Sequence, residues 1–100
     1  MEKYRKLVRD KIPDILDIKG IPYEKEILND SEYESEIIKK LFEEVEEFRT
    51  DLSVEELADV IEVLEYIKKL PQYKDLESIR IQKKEERGGF DKKILLSGEK

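Results

Sequence analysis

Two apolar series at helical spacing occupy the middle of the sequence, and a short polar interval separates them. The first series is Tyr33, Ile37, Ile38, Leu41, Phe42, Val45 and Phe48, and the second is Leu57, Val60, Ile61, Val63, Leu64, Ile67 and Leu70. Apolar residues that recur every three or four positions predict amphipathic helices, here at about 31–49 and 54–70. Because so few residues join them, the two helices are expected to pack antiparallel.

Cap and turn residues set the expected ends of these helices. Ser31 with Glu34, and Ser53 with Glu56, have the Ser-x-x-Glu spacing of a capping box, in which each side chain bonds the other residue's backbone N–H. Pro71 is expected to end the second helix, because proline has no N–H to donate within it.

Two more polar segments flank this pair. Residues 5–19 predict a first helical region, whose regular part starts at Pro13 and ends at Gly20. Residues 76–86 predict a fourth helix, and Gly88 follows it before an extended tail. No segment alternates apolar and polar residues with the period of a β-strand. The sequence therefore predicts one domain, residues 1–100, folded as an all-α antiparallel bundle of about four helices.

Charge and length limit the expected partners. The chain has 26 acidic and 20 basic side chains, a net charge of -6, which argues against binding to nucleic acid. It has no apolar run long enough for a membrane span and no apolar signal-peptide core, so we expect a cytoplasmic protein. A chain of 100 residues buries only a thin core by itself, so a homo-oligomer, either a dimer or a tetramer, is expected.

The sequence contains no Cys and no His. The usual zinc ligands are therefore excluded, and so is a serine-type triad, which needs a histidine base. Any metal site must be built from oxygen ligands, which suit Mg²⁺, Mn²⁺ or Ca²⁺.

Four acids lie at the apolar faces of the two central helices: Glu44, Glu47, Glu56 and Asp59. At about 100° per residue, Glu44 and Glu56 fall inside the apolar arcs, whereas Glu47 and Asp59 lie beside them. Acids three positions apart share a helix face, so two such pairs on antiparallel helices can converge. A buried carboxylate is costly unless it is paired or binds a cation. The pattern therefore suggests a divalent-metal site.

A structural salt-bridge network is the alternative to a metal. Acids are so frequent that the same spacing recurs at Glu43 with Glu46 and at Glu62 with Glu65, and the latter two are expected on the solvated face. Lys or Arg partners would satisfy the inward acids without any metal. The spacing leaves both interpretations open.

The two acidic blocks resemble those of a known family. Residues 40–47, Lys-Leu-Phe-Glu-Glu-Val-Glu-Glu, and residues 56–60, Glu-Leu-Ala-Asp-Val, are similar to the paired motifs of the all-α nucleoside triphosphate pyrophosphohydrolases. These are the MazG-like proteins, with dimeric dUTPases and phosphoribosyl-ATP pyrophosphohydrolases as relatives. Residues 4–13, Tyr-Arg-Lys-Leu-Val-Arg-Asp-Lys-Ile-Pro, and residues 83–90, Lys-Lys-Glu-Glu-Arg-Gly-Gly-Phe, are similar to flanking segments of a MazG-like subgroup. The interval between the acidic pairs is shorter than in many relatives.

The resemblance implies an enzyme that cleaves a nucleoside triphosphate to the monophosphate and pyrophosphate and so removes unwanted nucleotides. Glu44, Glu47, Glu56 and Asp59 would hold Mg²⁺, or Mn²⁺, which bridges phosphate oxygens and lowers the pKa of a water. Glu44 or Glu47 would orient that water. Two rivals stay open: hydrolysis of phosphoribosyl-ATP in histidine synthesis, and a non-catalytic helical interaction module.

The candidates for binding the substrate's phosphates are basic residues near both ends of the chain: Lys6, Arg9, Lys83 and Arg87. They would do so if the fold brings them over the acids. Gly88 and Gly89 would let backbone N–H groups approach a phosphate, or would simply stop the fourth helix. Tyr4 and Phe90 would stack on a base, or would only pack.

Overall fold

The computed structural model describes residues 4–99, which form four α-helices and one 3₁₀ turn. The helices are α1 (Ile12–Lys19), α2 (Asp30–Thr50), α3 (Val54–Ile67) and α4 (Leu76–Arg87), and the 3₁₀ turn is Pro71–Tyr73. No strand occurs among the described residues, and no helix among them is long and apolar enough to cross a membrane. The predicted all-α class and number of helices are confirmed.

α2 and α3 form an antiparallel hairpin, and the core lies between them. Ile37 on α2 packs with Val63 and Ile67 on α3 in the buried centre. The partly buried side chains around this centre are Leu7, Tyr33, Ile38, Leu41 and Leu70. Contacts between the first half of α2 and the last part of α3 require the two helices to run in opposite directions, as the sequence predicts.

Each central helix begins at a side-chain cap. Ser53 accepts a hydrogen bond of 3.2 Å from the Glu56 backbone N–H, which is the serine half of the predicted box. The box predicted at Ser31 is wrong, because the cap of α2 is Asn29. Asn29 Oδ1 accepts from the Glu32 N–H at 2.8 Å, and Glu32 Oε1 accepts from the Asn29 N–H at 3.3 Å. Asparagine caps helices as well as serine does, so this upstream box starts the helix first.

The first helix is shorter than predicted. It begins at Ile12, and residues 4–11 are not helical. Pro13 lies in the first turn, as expected, where its missing N–H costs no hydrogen bond within the helix. Gly20 ends the helix in the left-handed conformation, with φ of 70°. Residues 4–11 form an N-terminal strap against α2 and α3, and Leu7 of this strap packs on the core.

The C-terminal part lies apart from the hairpin. α3 ends at Ile67, earlier than predicted, because Pro71 keeps Leu70 extended with φ of -67° and ψ of 135°. An ion pair of 3.7 Å between Lys68 and Glu77 links the end of α3 to the start of α4. All side chains of α4 but the first are exposed, and the exposed tail that follows is non-helical, as predicted.

The described chain is long and thinly packed. Its radius of gyration is 18.2 Å, against about 13 Å for a compact domain of this length. Its buried apolar side chains are Ile37, Val60, Val63 and Ile67. On the outer face of the hairpin, apolar side chains stay exposed, among them Phe42 at 69% and Ile61 at 50%. One chain therefore leaves apolar surface that a further packing partner would bury.

Candidate metal centre

Three carboxylates converge where the end of α2 meets the start of α3. Glu44, Glu56 and Asp59 each place an oxygen within 4.8 Å of the other two. The hairpin brings the two helices together at this point, and the Ser53 cap fixes the first turn of α3, from which Glu56 projects. The structure thus groups three of the four acids that the sequence singles out, with Glu47 as the exception.

Glu44 is the buried member of this acid group. It is 7% exposed, and its Oε1 lies 3.2 Å from Lys40 Nζ. Its other oxygen, Oε2, is buried and has no hydrogen-bond partner among residues 4–99, and the same holds for Glu56 Oε2. Burial raises the pKa of Glu44; the contact with Lys40 opposes this shift, while the charges of Glu47 and Asp59 add to it. Two buried carboxylate oxygens therefore lack the partner that such a position requires.

Arg9 from the N-terminal strap lies at the edge of the acid group. Its Nη2 donates to Asp59 Oδ1 at 2.7 Å, and its Nη1 lies 3.7 Å from Glu62 Oε2. The hydrogen bond to Asp59 raises the pKa of the Arg9 guanidinium. The Arg9 side chain is 58% exposed, so it can leave Asp59 without disturbing packed structure. Arg9 is the predicted phosphate-binding residue that the structure places at the acids.

The Glu62 side chain is 45% exposed, but it also lies beside the acid group, which the sequence did not predict. It lines the same cleft as Asp59 and Tyr66, which are three residues before it and four after it. Residues at these spacings share a helix face, so the sequence already contained this relation. Glu65 is exposed, as expected, and pairs with Lys68 at 3.4 Å. The acidic residues around Arg9 therefore extend along α3 to Glu62, one helical turn beyond Asp59.

The cleft beside the acid group has a volume of about 190 Å³, and Glu44 and Asp59 line it whereas Glu56 does not. This volume is below the range of about 300–1,000 Å³ that is typical of small-molecule sites, so a nucleotide would extend beyond the cleft. Arg9, Glu44 and Asp59 line one part of the cleft, and Tyr33 and Tyr66 line another. One ligand in this cleft would therefore meet both acidic and aromatic groups.

Two predicted site residues lie near the acid group but outside it. Glu47 is exposed and is not one of the three converging carboxylates, although its charge is close enough to raise the pKa of Glu44. Lys6, on the strap, does not line the cleft, and its Nζ lies 3.9 Å from Glu43 Oε1. The metal-binding role of Glu47 and the phosphate-binding role of Lys6 stay predictions.

The segments that follow α3 do not reach the cleft in the described chain. Lys83 and Arg87 project from α4 and do not line the cleft, and neither does Gly88 after them. Phe90 is 98% exposed, and Tyr4 at the other end is 68% exposed. The phosphate-binding and stacking roles of these residues stay predictions.

Sequence reasoning did not assign a functional role to Lys40 or to the aromatic pair. Lys40 precedes Glu44 by four residues, which is the spacing of an ion pair along a helix, so the contact was readable from sequence. Tyr33 and Tyr66 lie in or beside the apolar series, where periodicity assigns aromatic residues to the core. Only the folded hairpin shows that both tyrosines line the cleft.

Comparison with models of protein families, with curated proteins and with solved structures gives no match to this chain. The site is therefore interpreted from its own chemistry. Its three carboxylates form an all-oxygen donor set, and two of them have a buried oxygen without a partner. Such a donor set fits Mg²⁺ or Mn²⁺, and Glu44, Glu56 and Asp59 are the residues that would hold the cation.

Proposed function

We propose that this protein is a Mg²⁺-dependent nucleoside triphosphate pyrophosphohydrolase of the MazG-like kind, which cleaves a nucleoside triphosphate to the monophosphate and pyrophosphate. The observation that carries the proposal is the buried, unpartnered Oε2 of Glu44 in a carboxylate group with Glu56 and Asp59. The role we propose is the removal of unwanted nucleotides in the cytoplasm.

Charge supports a resident cation at this position. Carboxylates within 4.8 Å of one another repel, and Lys40 and Arg9 relieve only part of that repulsion because they contact Glu44 and Asp59 and leave Glu56 without a basic partner. When bound, Mg²⁺ would be held by Glu44, Glu56 and Asp59 and would supply positive charge that stabilises the phosphate groups. A net acidic protein needs such a positive charge to bind a polyanionic substrate.

The side chains around the cation would bind and orient the reactants. A water oxygen bonds to phosphorus, the anhydride bond breaks, and pyrophosphate leaves with the electron pair. Glu44, whose pKa is raised by burial, or the neighbouring Glu47 accepts the proton of that water. Arg9, once released from Asp59, offers a planar fork of N–H donors to phosphate oxygens at the side of the cleft.

Self-association is the second part of the proposal. The exposed apolar face with Phe42 and Ile61 and the large radius of gyration both support it. In a two-fold dimer that joins these faces, two hairpins would form a four-helix core. Phe42 and Ile61 lie on the side of the hairpin away from the cleft, because they are half a helical turn from the cleft-lining residues Lys40 and Asp59.

The test is pyrophosphate release from standard and altered nucleoside triphosphates and from phosphoribosyl-ATP, with and without Mg²⁺. Glu56→Gln keeps the side-chain shape and removes its charge, so Mg²⁺-dependent release should be abolished while circular dichroism stays unchanged. Glu55→Gln is the matched control, because Glu55 is the exposed neighbour in the same helical turn and its loss should leave release intact.

Each other outcome points to a rival. Release from phosphoribosyl-ATP alone would move the protein to histidine synthesis with the same chemistry. If the folded protein releases pyrophosphate from no substrate, and Glu56→Gln leaves its response to Mg²⁺ unchanged, the non-catalytic helical module is favoured. In that case the acids serve only as ion-pair partners of residues such as Arg9 and Lys40.

A further inference from the structure

Two tyrosines connect the acid-lined cleft to a second cleft further along the hairpin. Tyr33 on α2 and Tyr66 on α3 line both. The second cleft has a volume of about 430 Å³, and Glu34, Lys69 and Gln72 also line it. The tyrosines therefore stand between a cleft with an acidic group and a cleft with mixed polar groups.

The two tyrosines lie across the hairpin from each other, because they are on different helices and line the same two clefts. Burial raises the pKa of Tyr33, and the neighbouring Tyr66 and Asp10 raise it further. Tyr33 is partly buried and packs on the core, whereas Tyr66 is 40% exposed. Lys69 Nζ lies 4.4 Å from the centroid of the Tyr66 ring. The pair thus combines one ring fixed by packing with one ring that reaches solvent.

The spacing along the helices fits a ligand that is anionic at one end and aromatic at the other. At about 1.5 Å per residue, Tyr66 lies about 10 Å along α3 from Asp59, and Tyr33 lies about 16 Å along α2 from Glu44. These lengths are comparable with the distance between the base and the outer phosphates of an extended nucleoside triphosphate. A ligand whose phosphates lie at the acid group would therefore place its base at the tyrosines.

We propose that Tyr33 and Tyr66 form the site for the nucleobase of the triphosphate substrate. The inference rests on the proposed function, since it requires the phosphates to bind at Glu44, Glu56 and Asp59. Stacking on aromatic rings suits any base, because every base has a π face. The Glu34 carboxylate, which accepts a hydrogen bond from the Gln72 amide, lies beyond the pair and offers polar groups to the edge of the base.

The proposal predicts that the tyrosines bind the base and not the phosphates. Calorimetry would measure the Kd of an α,β-methylene nucleoside triphosphate and of inorganic tripolyphosphate, both with Mg²⁺, because only the first ligand has a base. Tyr66→Ala should weaken binding of the nucleotide analogue by about tenfold or more and leave tripolyphosphate binding unchanged. Tyr66→Phe should restore the affinity, because phenylalanine keeps the stacking surface.

Two further variants separate stacking from folding. Tyr66→Leu fills the volume without a π face, so it should bind the nucleotide analogue as weakly as the alanine variant while keeping the stability of the hairpin. Tyr73→Ala is the matched control, because Tyr73 is an exposed tyrosine that lines neither cleft. It should leave both affinities unchanged.

The outcomes distinguish this proposal from the proposed function. If Tyr66→Ala and Tyr66→Leu weaken the binding of both ligands equally, or leave both affinities unchanged, the base site is refuted while the pyrophosphohydrolase proposal stands. If the wild type binds both ligands with the same affinity, the base contributes nothing and the inference also fails. If the wild type binds neither ligand with Mg²⁺, the proposed function fails and the base site fails with it.

Discussion

Replacing Glu44 by glutamine tests the metal site through stability alone. Glu44 is 7% exposed and has one oxygen without a partner, so the structure without metal carries the cost of a poorly compensated charge. Glutamine keeps the polar atoms but removes the negative charge, which burial and the charges of Glu47 and Asp59 disfavour, and loss of the 3.2 Å ion pair with Lys40 offsets part of that gain. Without metal, Glu44→Gln should therefore raise the free energy of unfolding by about 1 kcal/mol, or about 4–8 °C in Tm.

Mg²⁺ should reverse the order of stability, so that the wild type becomes more stable than Glu44→Gln. A cation that binds only the folded state adds about 2.7 kcal/mol when it is present at 100 times its Kd. For a domain of this size, that free energy corresponds to a rise in Tm of about 10–20 °C. The variant lacks the buried carboxylate and should lose most of this gain. The variant is thus expected to be the more stable protein in chelator, and the wild type in Mg²⁺.

The assay is thermal unfolding followed by far-UV circular dichroism, at one protein concentration, because self-association also changes Tm. Glu46→Gln is the control: Glu46 is exposed on the same helix, its pKa is lowered by its bond to Arg49, and its loss should leave the Mg²⁺ response intact. Equal stabilisation of wild type and Glu44→Gln by Mg²⁺ would refute the metal site. A loss of several kcal/mol in chelator would show that Glu44 is a structural partner of Lys40.

Three further predictions concern Arg9, pH and the outer face. Arg9→Gln removes the guanidinium that competes with the cation for Asp59. Calorimetry should therefore show several-fold tighter Mg²⁺ binding, while pyrophosphate release falls because a phosphate contact is lost. Weaker Mg²⁺ binding would contradict a competition between Arg9 and the cation. Because burial raises the pKa of Glu44 above its unfolded value, the ionised form is penalised above the folded pKa, and the penalty is lost as pH falls through that pKa. In urea melts without metal, the advantage of Glu44→Gln should therefore be largest at neutral pH and shrink in acid, and a pH-independent advantage would contradict this cause. If the protein self-associates through the outer face, Phe42→Lys should have a lower mass in sedimentation than the wild type, and an equal mass would exclude this face as the interface.

The central hairpin was predictable because its signals are local and repeated. Apolar residues at helical spacing place Ile37 and Val63 inside, and the same wheel places Glu44 among them, where the structure buries it. The helix ends were less certain, because neighbouring residues compete to cap. Asn29 and Ser31 are both good caps, and only the reciprocal bond with Glu32 decides between them.

The N-terminal strap was not predictable from local pattern. Residues 4–11 have the composition of an amphipathic helix, yet they run non-helically along the hairpin because Leu7 packs on its core and Arg9 bonds to Asp59. Arg9 and Asp59 are 50 positions apart, so no periodicity relates them. For α4, a sequence pattern of mixed charge and isolated apolar residues predicts a helix but says nothing about what covers it.

The salt-bridge network that was one interpretation of the acids is present in the structure, and the metal site stays a proposal. Arg9 and Lys40 do bridge Asp59 and Glu44, as the network requires. The bridges nevertheless leave one buried oxygen on Glu44 and one on Glu56 without a partner. A network built only for stability would pair those oxygens or replace them with apolar groups, since unpaired buried charge is costly.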